Sequence, residues 1–264
     1  MEGLRMMDLS FLDRPSILSF IFYPRKEFKD HPGNGFDLFI PVEHQISISS
    51  RFYLGHSQWP WILYFHGNGE VVSDYDELAP FYHQIEVNLV VADYRGYGAS
   101  GGEPALGHLI RDSHKIFLAI KEELLTRGLR NEVWVMGRSL GSLSALELAS
   151  LFHEEIKGLI IESGAISMVR IFRNLGVPID GRTVEKIDRE WEEKAKGISL
   201  PSLIIHGAQD RLVPVEEGRQ LYRCLGSKEK KLLIIPQATH NDILWVGFKD
   251  YFKAIHDFIK EGHF

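Results

Sequence analysis

Apolar and polar positions along the chain follow two alternating rhythms. Short apolar runs recur at Trp61–Phe65, Asn88–Asp93, Val133–Met136, Ile156–Glu162, Ser202–His206 and Lys231–Ile235. Runs without polar alternation predict strands buried on both faces, as a parallel sheet requires. Between them lie stretches whose apolar residues fall three and four apart. These predict helices over Ser73–Glu86, Leu106–Arg127, Leu140–Phe152, Val215–Leu225 and Asn241–Lys260. Ser73 is a plausible cap for the first of these. Two earlier stretches, Phe36–Pro41 and Ile46–Leu54, alternate and are joined by a short turn, so they predict an antiparallel pair at a sheet edge. The expected architecture is α/β: one mostly parallel sheet of about eight strands, with helices on both faces.

Two stretches depart from the rhythm. Residues 163–200 are partly helical, highly charged and longer than a simple crossover needs, so they predict a small helical lid over the strand ends. Residues 1–35 precede the first strand and are expected to pack on the main domain, which spans 36–264. Their first part, 1–23, is apolar but interrupted by Asp8, Asp13, Arg14 and Pro15, which does not fit a signal peptide. Its sharper reading is a peripheral contact with a membrane or partner. No apolar run reaches the length of a transmembrane helix.

Composition narrows the partners. The net charge is −6 and no block of Lys and Arg stands out, so nucleic acid is not expected. The single cysteine, Cys224, reads as a small core residue and forms no intrachain disulfide, which suits a reducing, cytoplasmic compartment. No cluster has metal-ligand spacing, since His108 and His114 are six apart and off a common helix face. No Gly-x-Gly-x-x-Gly opens a helix after a strand. The expected partner is therefore a small-molecule or acylated substrate, without metal or cofactor. Oligomeric state is left open.

The candidate chemistry centres on Gly137-Arg138-Ser139-Leu140-Gly141, which joins a predicted strand to a predicted helix. A serine held in so tight a bend needs neighbours without side chains, and the bend lifts its hydroxyl out of the fold. Ser139 needs a base. His240 follows the last predicted strand and would serve as base and then acid. Asp210, after the strand ending at His206, would orient that imidazole. Asp242 is a rival acid, but so close to His240 it reads as a cap for the last helix. The Leu140 backbone N–H, at the start of the helix, would donate to a developing oxyanion.

The chain order Ser, Asp, His and the loops carrying it resemble the serine hydrolases of the α/β-hydrolase superfamily, from about Asp37 onward. His66-Gly67-Asn68-Gly69, Asp93-Tyr94-Arg95-Gly96-Tyr97-Gly98 and His240-Asn241-Asp242-Ile243 resemble its compact small-lid group, which includes protein depalmitoylases and membrane-associated relatives. The resemblance implies that the Asn68 backbone N–H completes the oxyanion hole. His66 then orients its loop, and Arg138 meets either an anionic substrate or a structural partner. Apolar residues expected near the site are Met168, Ile171, Phe172, Trp245 and Val246. The expected activity is hydrolysis of an ester or thioester through an acyl-Ser139 intermediate. Alternatives are an aminopeptidase-like serine peptidase, an acyltransferase, and a non-catalytic binding module on the same fold.

Overall fold

The apolar runs become the strands of one sheet. In the computed structural model, which describes residue 9 and residues 12–261 apart from the side chains of 168–170 and 261, eight strands form. They are β1 (Phe36–Glu43), β2 (Ile46–Tyr53), β3 (Trp61–Phe65), β4 (Asn88–Ala92), β5 (Val133–Arg138), β6 (Ile156–Glu162), β7 (Ser202–Gly207) and β8 (Lys230–Ile235). Their order is β1-β2-β4-β3-β5-β6-β7-β8. β1 and β2 pair antiparallel, β2 meets β4 antiparallel, and every pairing from β4 to β8 is parallel. The register brings the carboxyl ends level: Phe65 lies opposite Ala92 and Gly137, Arg138 opposite Glu162, and Glu162 opposite Ile205. Loops leaving these ends share one edge, where open α/β sheets bind ligands.

The helices are α1 (Pro15–Ile21), α2 (Ala79–Gln84), α3 (Leu106–Thr126), α4 (Ser142–Leu151), α5 (Met168–Asn174), α6 (Gly181–Gly197), α7 (Val215–Cys224), α8 (Ile243–Val246) and α9 (Phe248–Glu261). They cover both faces of the sheet. Trp61, Leu63 and Phe65 of β3 join a core with α1, α3, α4, α6 and α7, while Ile62 and Tyr64 join a second core with α2 and α9. This two-residue alternation is what a strand buried on both faces must do.

Two predicted helices come out divided. Ser73–Glu86 splits into a 3-10 turn at Val72–Tyr75 and the later α2. Pro80, at the start of α2, cannot donate a backbone hydrogen bond and would clash with the preceding turn. Ser73 is not the cap: Asp74 Oδ2 accepts from the Val71 N–H at 3.0 Å. The last helix breaks at Gly247 into α8 and α9. Cys224 ends α7 partly buried, at the margin of the core and not within it.

Residues 163–200 carry α5 and α6 between β6 and β7. The Asp180 carboxylate caps α6 by accepting the Thr183 N–H at 3.1 Å. Lys194 of α6 pairs with Glu147 of α4, which also contacts His114 of α3 at 3.1 Å, so the insertion is tied to the main domain by a buried ion pair. At the other end, Leu12, Ile17, Ile21 and Phe22 are buried against the main domain, and Asp13 Oδ1 accepts the Leu106 N–H at 3.0 Å. Residues 1–8, 10 and 11, part of the stretch expected to touch a membrane or partner, lie outside the described residues.

Candidate active site

β5 runs out at Arg138, and Ser139 turns the chain into α4 through the three-residue 3-10 turn Ser139–Gly141. Ser139 takes φ +49°, a left-handed conformation costing a serine about 1–3 kcal/mol. The flanking glycines make the bend possible. A Cβ on Gly137 would lie 2.5 Å from the Gly141 carbonyl oxygen, and one on Gly141 would overlap the Phe65 carbonyl. The hydroxyl of Ser142 braces the turn by donating to the Ser139 carbonyl at 2.6 Å.

Two loops from neighbouring strands reach the same point. Ser139 Oγ donates to His240 Nε2 at 2.9 Å, and His240 Nδ1 donates to Asp210 Oδ2 at 2.7 Å. The other Asp210 oxygen accepts the backbone N–H groups of Leu212 and Val213 at 3.0 and 2.8 Å, which fixes the carboxylate as the loop turns toward α7. Asp242 does not compete. It accepts the Thr239 N–H at 2.6 Å and so braces the loop that carries His240. It stands at the N-cap of α8 without making a side-chain cap bond. Beneath Asp210, the wholly buried His206 donates to the Val213 carbonyl at 2.8 Å, and burial pushes its pKa down, so it stays neutral.

Asn68 and Leu140 border the same cavity as Ser139. The Asn68 side chain is held at both its oxygen and its nitrogen. Its Oδ1 accepts from the Tyr97 hydroxyl at 2.6 Å and the Tyr23 N–H at 2.9 Å, and its Nδ2 donates to the Ile21 carbonyl at 2.5 Å. His66 is buried under this loop, where its Nδ1 donates to the Gly67 carbonyl at 2.7 Å and its Nε2 lies 3.2 Å from Asp93. Its place is structural.

Arg138 points away from the Ser139 cavity and links two loops and the end of β6. Its guanidinium pairs with Glu70, donates to Glu162 at 3.1 Å, and donates to the His240 carbonyl and Asn241 Oδ1 at 2.9 and 3.0 Å. Glu70 in turn accepts the Gly67 N–H at 2.7 Å. Burial alone would raise the Glu70 pKa, but the Arg138 charge, the nearby His66 and the hydrogen bonds from Tyr75 and the Gly67 N–H together outweigh it and hold the carboxyl below its ordinary range. Arg138 is therefore satisfied by protein groups, and no substrate anion is needed to explain it.

The cavity at Ser139 measures about 250 Å³. Of the expected apolar residues, Ile171 and Phe172 line it. Met168 begins α5, but its side chain is outside what the structure describes. Trp245 and Val246 do not line it, which corrects the sequence expectation. Both sit on α8 and face solvent, because the one buried position of that short helix is Ile243. Trp245 instead borders a smaller cavity beside Arg138 and Glu70.

Three groups of residues escaped sequence reasoning. Phe20, Ile21 and Tyr23 line the Ser139 cavity from the N-terminal segment. Their only hint was an apolar stretch with more large residues than one helix face can bury. Glu70 was findable as a carboxylate three residues past Gly67, opposite in charge to Arg138. Ser163 had no sequence mark. It follows β6 with φ +48°, and its buried hydroxyl has no hydrogen-bond partner while bordering the cavity.

Comparison with known proteins bears on the family and the fold. A family profile described as serine aminopeptidase, S33, matches residues 60–185 and 182–244. The chain is similar to protein bem46 of Schizosaccharomyces pombe, with 31% identity over 77% of this chain and 68% of that one. It is also similar to human alpha/beta hydrolase domain-containing protein 17B, with 30% identity over 76% of this chain and 66% of that one. The chain thus spans about two thirds of the length of these two relatives. Among solved structures, an esterase from Pyrococcus furiosus superposes with a TM-score of 0.75 at 20% identity, covering 91% of this chain and 99% of its own. Est1E from Butyrivibrio proteoclasticus superposes with a TM-score of 0.68 at 20% identity, covering 86% and 98%.

Proposed function

The chain belongs to the serine aminopeptidase S33 family of α/β-hydrolases and is a hydrolase of that fold, and on that premise we propose that it cleaves a carboxylic ester or thioester through an acyl-Ser139 intermediate. One observation carries the reading: the unbroken run of hydrogen bonds from Ser139 Oγ through His240 to Asp210, at 2.9 and 2.7 Å, opening on an apolar cavity. Ser139 Oγ attacks the carbonyl carbon as its proton passes to His240 Nε2. Asp210 stabilises the imidazolium. The oxyanion is received by the backbone N–H groups of Leu140 and Asn68. Collapse of the intermediate breaks the bond to the alcohol or thiol, which leaves with the proton from His240. A water deprotonated by His240 then attacks the acyl carbon, and Ser139 leaves with a proton.

A peptidase on the same residues is the second reading, favoured by the family description. The cavity argues for the ester. An aminopeptidase must hold a substrate ammonium, and burying that charge without a counter-ion is costly. No Asp or Glu is among the described residues lining the cavity. Labelling with a fluorophosphonate tests the core of the proposal. We expect stoichiometric modification of the wild type and none of Ser139→Ala. Equal labelling of both, or none of a folded wild type, would overturn it. Turnover of amino-acid p-nitroanilides in preference to p-nitrophenyl esters would move the assignment to the peptidase.

A further inference from the structure

The N-terminal segment is built into the Ser139 cavity. Phe20, Ile21 and Tyr23 supply part of its lining, and Ile171, Phe172 and Leu175 of the lid region supply another part. The segment is also fastened to the loop beside Ser139. The Ile21 carbonyl and the Tyr23 N–H both bond the Asn68 side chain, and the Tyr23 N–H lies 3.0 Å from the Tyr97 hydroxyl that bonds Asn68 too. Ile21 is buried, while Phe20 stays 43% exposed on the rim. A large apolar side chain held at the mouth of a cavity, on a backbone hydrogen-bonded in place, is a preformed wall.

The cavity volume limits what this wall can hold. About 250 Å³ is smaller than a typical drug-sized site. A methylene is close to water in volume, about 30 Å³, so on the order of eight such groups fill it. No charged side chain is among its described lining residues, and an uncompensated charge would be costly to bury there. We propose that the preferred acyl group is an uncharged apolar chain of medium length, on the order of eight carbons, and that Phe20 and Ile21 of the N-terminal segment set that length. The inference rests on the ester-hydrolase reading and adds to it the acyl class and the element that selects it.

A panel of p-nitrophenyl esters from acetate through hexanoate, octanoate and dodecanoate to palmitate tests it, with Ser139→Ala as the blank. For the wild type, kcat/KM should rise by about fourfold per added methylene until the cavity is full, then fall. Phe20→Ala removes a half-exposed side chain and should not threaten folding, and Ile21→Ala removes a buried one. Each should raise the dodecanoate-to-octanoate ratio by at least about fourfold, the worth of one methylene. Leu175→Ala serves as the comparison from the lid side. Ser139-dependent turnover with no length preference would overturn this inference and leave the hydrolase reading standing. So would a ratio moved by Leu175→Ala but by neither N-terminal variant. No Ser139-dependent turnover of any ester would overturn both.

Discussion

Arg138 shows how much one side chain can organise. It lies next to Ser139 in sequence, yet its guanidinium faces the opposite side of β5, where it joins Glu70, Glu162 and the His240 carbonyl. Through Glu70 and the Gly67 N–H it also reaches the loop that carries Asn68. A planar fork with several donors can hold these partners together, whereas a lysine ammonium on a single stem cannot. Arg138→Lys keeps the charge that neutralises two carboxylates but gives up the fork. We expect kcat to fall by about ten- to a hundredfold with little change in KM, because the His240 loop loses its anchor while the acyl cavity is untouched. Steady-state kinetics on a short ester checks this. A raised KM with an unchanged kcat would place Arg138 in substrate binding instead.

At the scale of elements, the insertion between β6 and β7 is held by a buried charge cluster. Glu147 on α4 meets Lys194 of α6 and His114 of α3. Burial alone would push the Glu147 carboxyl up, but its bonds to His114 and Lys194 outweigh that and hold it below its ordinary value of 4.5. A folded-state pKa below the unfolded one stabilises above the unfolded value, and that stability is lost as pH falls through the folded value. Glu147→Gln should therefore melt about 5 °C or more below the wild type at neutral pH. The gap should begin to shrink as pH falls below 4.5 and close once the pH has passed the lower folded value, where the wild-type carboxyl is protonated too. Thermal melts at several pH values measure it, and a gap that stays constant down to the acid limit would exclude this account. Most elements themselves were legible from periodicity. β3 and β6 match their apolar runs residue for residue, and α3 ends within a residue of expectation. The two divided helices were misjudged for local reasons. Pro80 and Gly247 interrupt patterns whose apolar spacing continues across them, and spacing alone does not register a missing donor or a loose backbone.

At the scale of the molecule, the sheet separates two cores. Ile120 of α3 is buried in one and Ile255 of α9 in the other. Ile120→Val and Ile255→Val should each cost about 0.5–1.5 kcal/mol. Because the sheet stands between them, the double variant should equal the sum of the two within about 0.5 kcal/mol. Denaturant titrations of the four proteins test this, and a larger departure would mean that the two cores yield as one. The candidate site spans the same sheet. Ser139 leaves a central strand, while Asp210 and His240 follow β7 and β8, separated from it by 71 and 101 residues of chain. The level carboxyl ends of parallel strands bring them within hydrogen-bond reach.

The sequence by itself determined the strand count, the parallel sheet and the three residues that converge on one edge. Each rests on local information: apolar period, glycine spacing, and the position of a polar residue just past a strand. Only the tertiary structure decided the outline of the cavity. Trp245 and Val246 turned outward because the single buried position of α8 is Ile243. Phe20, Ile21 and Tyr23 came in from a segment with no motif of its own, drawn there by hydrogen bonds to Asn68, 45 or more residues away. Such contacts depend on which surfaces are left unpaired once the sheet has formed, and no pattern along the chain encodes that.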